Sequence, residues 1–247
     1  MITVLKALYL LLVAACLFLQ ACAPDQESEN RGLRKPDMAK ASFYNVQLGL
    51  GYLNQGDRPR AKRKLLTALK QQPNSPDANS AMAYYFEQTK ELTQAKQYYL
   101  KALSLSANDG AHLNNYGAFL CRRGDYKNAE VYFLKAVKDM EYTHTAGAYE
   151  NAGLCALSAA NEDKAMFYFK KALNHDPSRK ISFYELLKLE NKTGHNADAM
   201  ELVQKHTDLV LNDRLLLSLA QLTARKAGRD DIAVEYEQKM KKYEKVE

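Results

Sequence analysis

The chain has 247 residues, with 35 basic and 29 acidic side chains and a net charge of +6. The surplus is spread along the sequence rather than gathered into blocks, so charge alone gives no reason to expect nucleic acid as a partner. Eleven Gly and six Pro against many Ala, Leu, Lys, Glu and Gln exclude a strand-and-turn architecture and predict a nearly all-α chain.

Residues 1–21 carry one charge, Lys6, followed by an unbroken apolar run from Ala7 to Leu19. The run is too short to cross a bilayer as a permanent helix and has the make-up of a secretory signal. Leu19, Gln20, Ala21 and Cys22 then resemble a bacterial lipobox, with Leu at −3 and a small residue at −1. The resemblance implies cleavage before Cys22, a covalent lipid on its thiol and no other cofactor. Acyl chains on Cys22 would hold the protein on a membrane. Ala23, in place of the Asp that retains many lipoproteins at the inner membrane, implies the periplasmic face of the outer membrane. Residues 22–41 are polar without apolar periodicity and read as a flexible tether.

From Ser42 the sequence repeats. Small residues recur at Gly49, Ala83, Gly117 and Gly153, and again at Ala61, Ala95, Ala129 and Ala165. Large apolar residues recur at Leu65, Tyr99, Phe133 and Phe169, and Ala at 68, 102, 136 and 172. The units are 42–75, 76–109, 110–143 and 146–179, with two extra residues before the fourth. Units 180–213 and 214–247 continue in phase through Leu186, Gly194, Ala199 and Val203, then Ala220, Gly228, Ala233 and Met240. The pattern resembles the tetratricopeptide repeat, a pair of antiparallel helices. The expected fold is an all-α, right-handed α-solenoid of six helix-turn-helix repeats over 42–247. In Gln55-Gly56-Asp57 and Arg123-Gly124-Asp125 a Gly ends one helix and an Asp caps the next.

The alternation in Val46–Tyr52 looks strand-like, but the repeat phase makes it a helix with two apolar faces. Leu48, Gly49 and Tyr52 are expected against the partner helix, and Phe43, Val46, Leu50 and Leu53 toward a groove. The five histidines are scattered, and no spacing suited to catalysis or a metal occurs, so neither an enzyme nor a small-molecule substrate is expected. Cys121 and Cys155 lie on the first helices of neighbouring units. A disulfide and a pair of buried thiols are both open readings, and the packing position of Cys155 favours the thiols.

Leu48–Leu53, Leu113–Leu120 and Glu150–Leu157 are similar to strings carried by the type IV pilus biogenesis and stability lipoproteins called PilF or PilW. The resemblance covers essentially the whole chain. It implies an outer-membrane pilotin that binds type IV pilus secretin subunits and promotes their localisation and multimerisation. In this repeat family, places 2, 5, 9, 12 and 13 of a unit face the concave surface. They give Phe43, Val46, Leu50, Leu53 and Asn54 in unit one, with Tyr84 in unit two and Asn114 in unit three. The apolar end at unit one is the expected partner site. An envelope scaffold recruiting cell-wall or other envelope proteins would share this fold and location.

Overall fold

The computed structural model describes residues 37–243. Cys22 and the signal segment lie outside the described residues. Every element among the described residues is a helix.

The first hairpin pairs α1 (Met38–Asn54) with α2 (Arg58–Gln71). α3 (Pro76–Gln88) pairs with α4 (Leu92–Leu105), α5 (Gly110–Arg122) with α6 (Tyr126–Ala136), and α7 (Thr145–Ser158) with α8 (Glu162–His175). α9 (Lys180–Thr193) packs on α10 (Asn196–Lys205), which a short α11 (Thr207–Leu211) follows. α12 (Arg214–Lys226) and α13 (Asp230–Tyr243) make the last pair. α1 begins at Met38, inside the segment read as tether and ahead of the Ser42 set by the repeat phase.

Each hairpin closes because a small residue on its first helix admits a large one from its second. A Cβ added at Gly49 would lie 2.6 Å from the Leu65 side chain, one at Gly117 2.9 Å from the Phe133 ring, and one at Gly153 2.6 Å from the Phe169 ring. Ala61, Ala95, Ala129 and Ala165 are fully buried, so the helices pack at close range on that side as well. The repeats then stack. First helices touch in the order α3, α5, α7, α9, and α9 also meets α12. One surface is therefore lined by first helices, which is the arrangement of a tetratricopeptide solenoid.

The turn chemistry differs between hairpins. Gly56 and Gly124 take left-handed φ of 78° and 79°, and Asp57 and Asp125 accept from the backbone N–H of Arg60 and Asn128. In the second and fourth hairpins Lys90 and Ala160 occupy the same left-handed region, at φ 69° and 54°, a conformation that costs a side-chain-bearing residue about 1–2 kcal/mol. Of the two extra residues before unit four, His144 ends the loop after α6 and Thr145 opens α7, and that loop folds back onto unit three. There Asp139 Oδ2 accepts from Gly110 N at 2.8 Å, and the Tyr142 ring lies where a side chain at position 110 would stand.

The apolar faces of α1 are not divided as the sequence suggested. Its buried stripe is Ser42, Val46, Gly49 and Leu53, which share one side at spacings of three and four residues. Leu48 is 47% exposed, because it lies about 100° around the helix from Gly49. Leu53, expected toward the groove, packs in the core. Tyr52 is half-buried beneath the Arg60 guanidinium, 4.8 Å from the ring centre. Cys121 and Cys155 are joined by a disulfide between α5 and α7, with Cα atoms 5.7 Å apart. The expectation of buried thiols fails because adjacent first helices run close enough for the Cβ vectors to meet.

Candidate partner-binding groove

A groove of about 620 Å³ runs across the first helices of units one to three. α1 supplies one wall with Phe43, Val46, Leu50 and Asn54, α3 adds Tyr84, and α5 adds Asn114. Leu53 is the predicted groove residue that the structure leaves out; it is 8% exposed and turned to the core. Val46 lines the groove but is only 4% exposed and packs mainly in the core. Phe43 is the main apolar presence, 52% exposed with its ring edge-on to Tyr44 at 5.6 Å.

The other end of the groove is polar and ordered by charge. Glu87, at place 12 of unit two, is buried. Its carboxylate pairs with Arg122 (Nη2 to Oε2, 2.9 Å) and accepts from the Tyr99 hydroxyl at 3.1 Å. Burial pushes the Tyr99 phenol well above its usual range, and the Glu87 charge adds to that. Tyr99 thus stays a neutral donor that fixes the carboxylate from below. Sequence reasoning placed Tyr99 only as a large apolar landmark. A Tyr where the first, third and fourth units have Leu or Phe was the available signal for a polar partner.

Side-chain amides continue the floor from helix to helix. Asn151 Nδ2 donates to Asn114 Oδ1 at 3.0 Å, and Asn115 Nδ2 to Ser80 Oγ at 3.4 Å. A groove with an aromatic and aliphatic wall at one end and aligned amides beyond suits an extended peptide, whose backbone needs donors and acceptors as well as apolar cover.

No metal spacing was visible in the sequence, yet the fold brings the ligand atoms of Glu190, His195 and Asp198 within 4.8 Å of one another. The Glu190 carboxylate is already paired with Lys170 Nζ at 2.6 Å and lies 2.9 Å from His195 Nδ1. The cluster therefore reads as a salt-bridged seam between α8, α9 and α10.

The tetratricopeptide repeat profile matches residues 76–109 and 108–178. Residues 76–178 thus carry tetratricopeptide repeats. The chain is 36% identical over 150 residues to the type IV pilus assembly protein PilF of Pseudomonas aeruginosa, covering 60% of each chain. The match thus spans less than two thirds of that relative. It is also 33% identical over 146 residues to an uncharacterized protein of Haemophilus influenzae, covering 59% of this chain and 82% of that one. In structure it is similar to Pseudomonas aeruginosa PilF, with TM-score 0.68 and 27% identity over 85% of this chain and 99% of the other. The type IV pilus biogenesis factor PilW gives TM-score 0.63 and 28% identity over 81% and 91%.

Proposed function

We propose that the protein is an outer-membrane lipoprotein pilotin for a type IV pilus, acting by binding and without catalysis. Acyl chains on Cys22 hold it at the membrane, and the groove takes an extended segment of the secretin subunit. Phe43 and Leu50 cover apolar side chains of that segment, while Tyr84, Asn114 and the Arg122 end serve its backbone and polar groups. Holding secretin on a membrane-anchored chain raises its effective concentration at the bilayer and so favours multimers.

The observation that carries this reading is the apolar wall of α1 opening into a peptide-sized groove, in a chain similar to two type IV pilus proteins. The disulfide between Cys121 and Cys155 supports an oxidising compartment such as the periplasm. Affinity capture from envelope extracts tests the proposal. A type IV pilus secretin should be retained, and retention of peptidoglycan hydrolases or synthases in its place would instead make the protein a cell-wall scaffold.

A further inference from the structure

The even spread of charge read from the sequence fails at α2, where Arg58, Arg60, Lys62, Arg63 and Lys64 fill five of seven consecutive positions. This helix carries Arg58, Arg60, Lys62, Arg63, Lys64 and Lys70 and no carboxylate. The rest of the chain is then balanced, its remaining basic side chains matching the 29 acidic ones. Arg60 is committed to Asp57 and the Tyr52 ring. Lys62, Arg63 and Lys70 form no salt bridge among the described residues, and Arg63 meets the Asp57 charge only at longer range.

Helical spacing gathers them further. Ala61, Leu65 and Ala68 face the core, which turns Lys62, Arg63, Leu66 and Lys70 outward together. Leu66 is 49% exposed in the middle of these cations. A basic face with an apolar residue at its centre is the make-up of a helix that lies on an anionic bilayer, with cations at the phosphates and the apolar side chain at headgroup depth.

The hairpin also sets where the chain leaves the repeats. Ser42 Oγ donates to Ala68 O at 3.0 Å and Asn45 Nδ2 to Gln71 Oε1 at 3.0 Å, so the start of α1 lies against the end of α2, near Lys70. Residues 22–37 reach at most about 55 Å when fully extended. A lipid on Cys22 would therefore confine α2 to the neighbourhood of the membrane.

We infer that the outer face of α2, through Lys62, Arg63, Leu66 and Lys70, docks on an anionic phospholipid surface and gives the anchored protein a second membrane contact. The inference rests on the lipid anchor proposed at Cys22, and it is independent of the secretin groove. The docked helix would fix which way the first repeat faces. The attraction is electrostatic and falls off within a Debye length of about 8 Å at physiological salt.

The test uses the lipidated full chain carrying Leu66→Cys, labelled there with an environment-sensitive fluorophore. It is reconstituted into phosphatidylcholine vesicles, or into phosphatidylcholine with phosphatidylglycerol, each containing a lipid-borne quencher. Quenching should be several-fold stronger in the anionic vesicles. It should fall to the neutral level in high salt and in the variant Lys62→Glu, Arg63→Glu, Lys70→Glu, whose circular dichroism should match the parent. Equal quenching in both vesicles, or quenching unchanged by the triple variant, overturns α2 docking while the anchor stands. A chain that floats with neither vesicle overturns both. Binding of the basic face to an acidic peptide without quenching in anionic vesicles assigns it to a protein and overturns the membrane reading.

Discussion

Arg122 on α5 reaches back one repeat to the buried carboxylate of Glu87 on α3, and the Tyr99 hydroxyl on α4 meets the same carboxylate from below. Three helices from two units therefore converge on one charge. Removing the cation strands an acceptor that folding has already taken from water, at a cost of about 1–3 kcal/mol.

Arg122→Met should accordingly lower the unfolding free energy by about 1–3 kcal/mol, and Glu87→Gln by less, since an amide needs no counter-charge. Urea denaturation of both single variants and the double variant measures the coupling. Additive effects would show that Arg122 and Glu87 act independently.

The groove can be probed without disturbing the core if the substitutions are confined to side chains that are not fully buried. Phe43→Arg with Leu50→Arg should abolish secretin multimers and capture of secretin, with helical content unchanged. Val46→Arg is a poor probe, because Val46 is only 4% exposed and an arginine there would damage the hairpin. Persistent multimers in the Phe43, Leu50 double variant would move the partner site elsewhere.

The disulfide between Cys121 and Cys155 closes a sequence separation of 34 residues. In the chain-entropy account a loop of that size is worth about 4 kcal/mol. Replacing both cysteines by Ala, or reducing the bond, should lower the unfolding midpoint, and alkylation read by mass spectrometry should find both thiols blocked in the untreated chain. Unchanged stability on reduction would count against an entropic role for the bridge.

His206 on the seam after α10 supplies a pH dependence. Burial holds its imidazole below the usual value, the nearby Lys205 charge acts in the same direction, and the hydrogen bond to the Pro177 carbonyl opposes them. The unfolded chain thus takes up a proton first as pH falls below about 6.5. Its stabilising contribution is complete above that pH and is lost on acidification until the folded histidine also protonates. Denaturation midpoints should decline as pH falls below about 6.5 in the parent and stay flatter in His206→Leu. Carboxylates held below their usual range, such as Asp176 and Asp213, act at still lower pH.

The repeat was legible because its landmarks are steric. Gly49, Gly117 and Gly153 have to be small where Leu65, Phe133 and Phe169 enter, and a period of such demands survives in a single sequence. Positions judged only by apolarity were less readable. Leu48 and Leu53 are both leucines, and only the rotation of α1 about its axis sends one to solvent and the other to the core. The groove residues Phe43, Leu50, Tyr84 and Asn114 followed from the phase, since each sits at a fixed place in its unit. The Glu87, Arg122 and Tyr99 network did not, because it joins different helices of two units and no local spacing encodes it. The charge on α2 was legible as the run Arg58–Lys64 and was missed by averaging over the chain; the helix adds only that Lys62, Arg63 and Lys70 turn outward together around Leu66.

The cysteine bridge has a consequence for how the molecule comes apart. In an array where each repeat leans on its neighbours, loosening starts at either end and travels inward one unit at a time. A covalent clamp between the third and fourth units interrupts that travel at the middle. The outer pairs of units are then free to breathe separately, and amide exchange in one arm should proceed without announcing itself in the other.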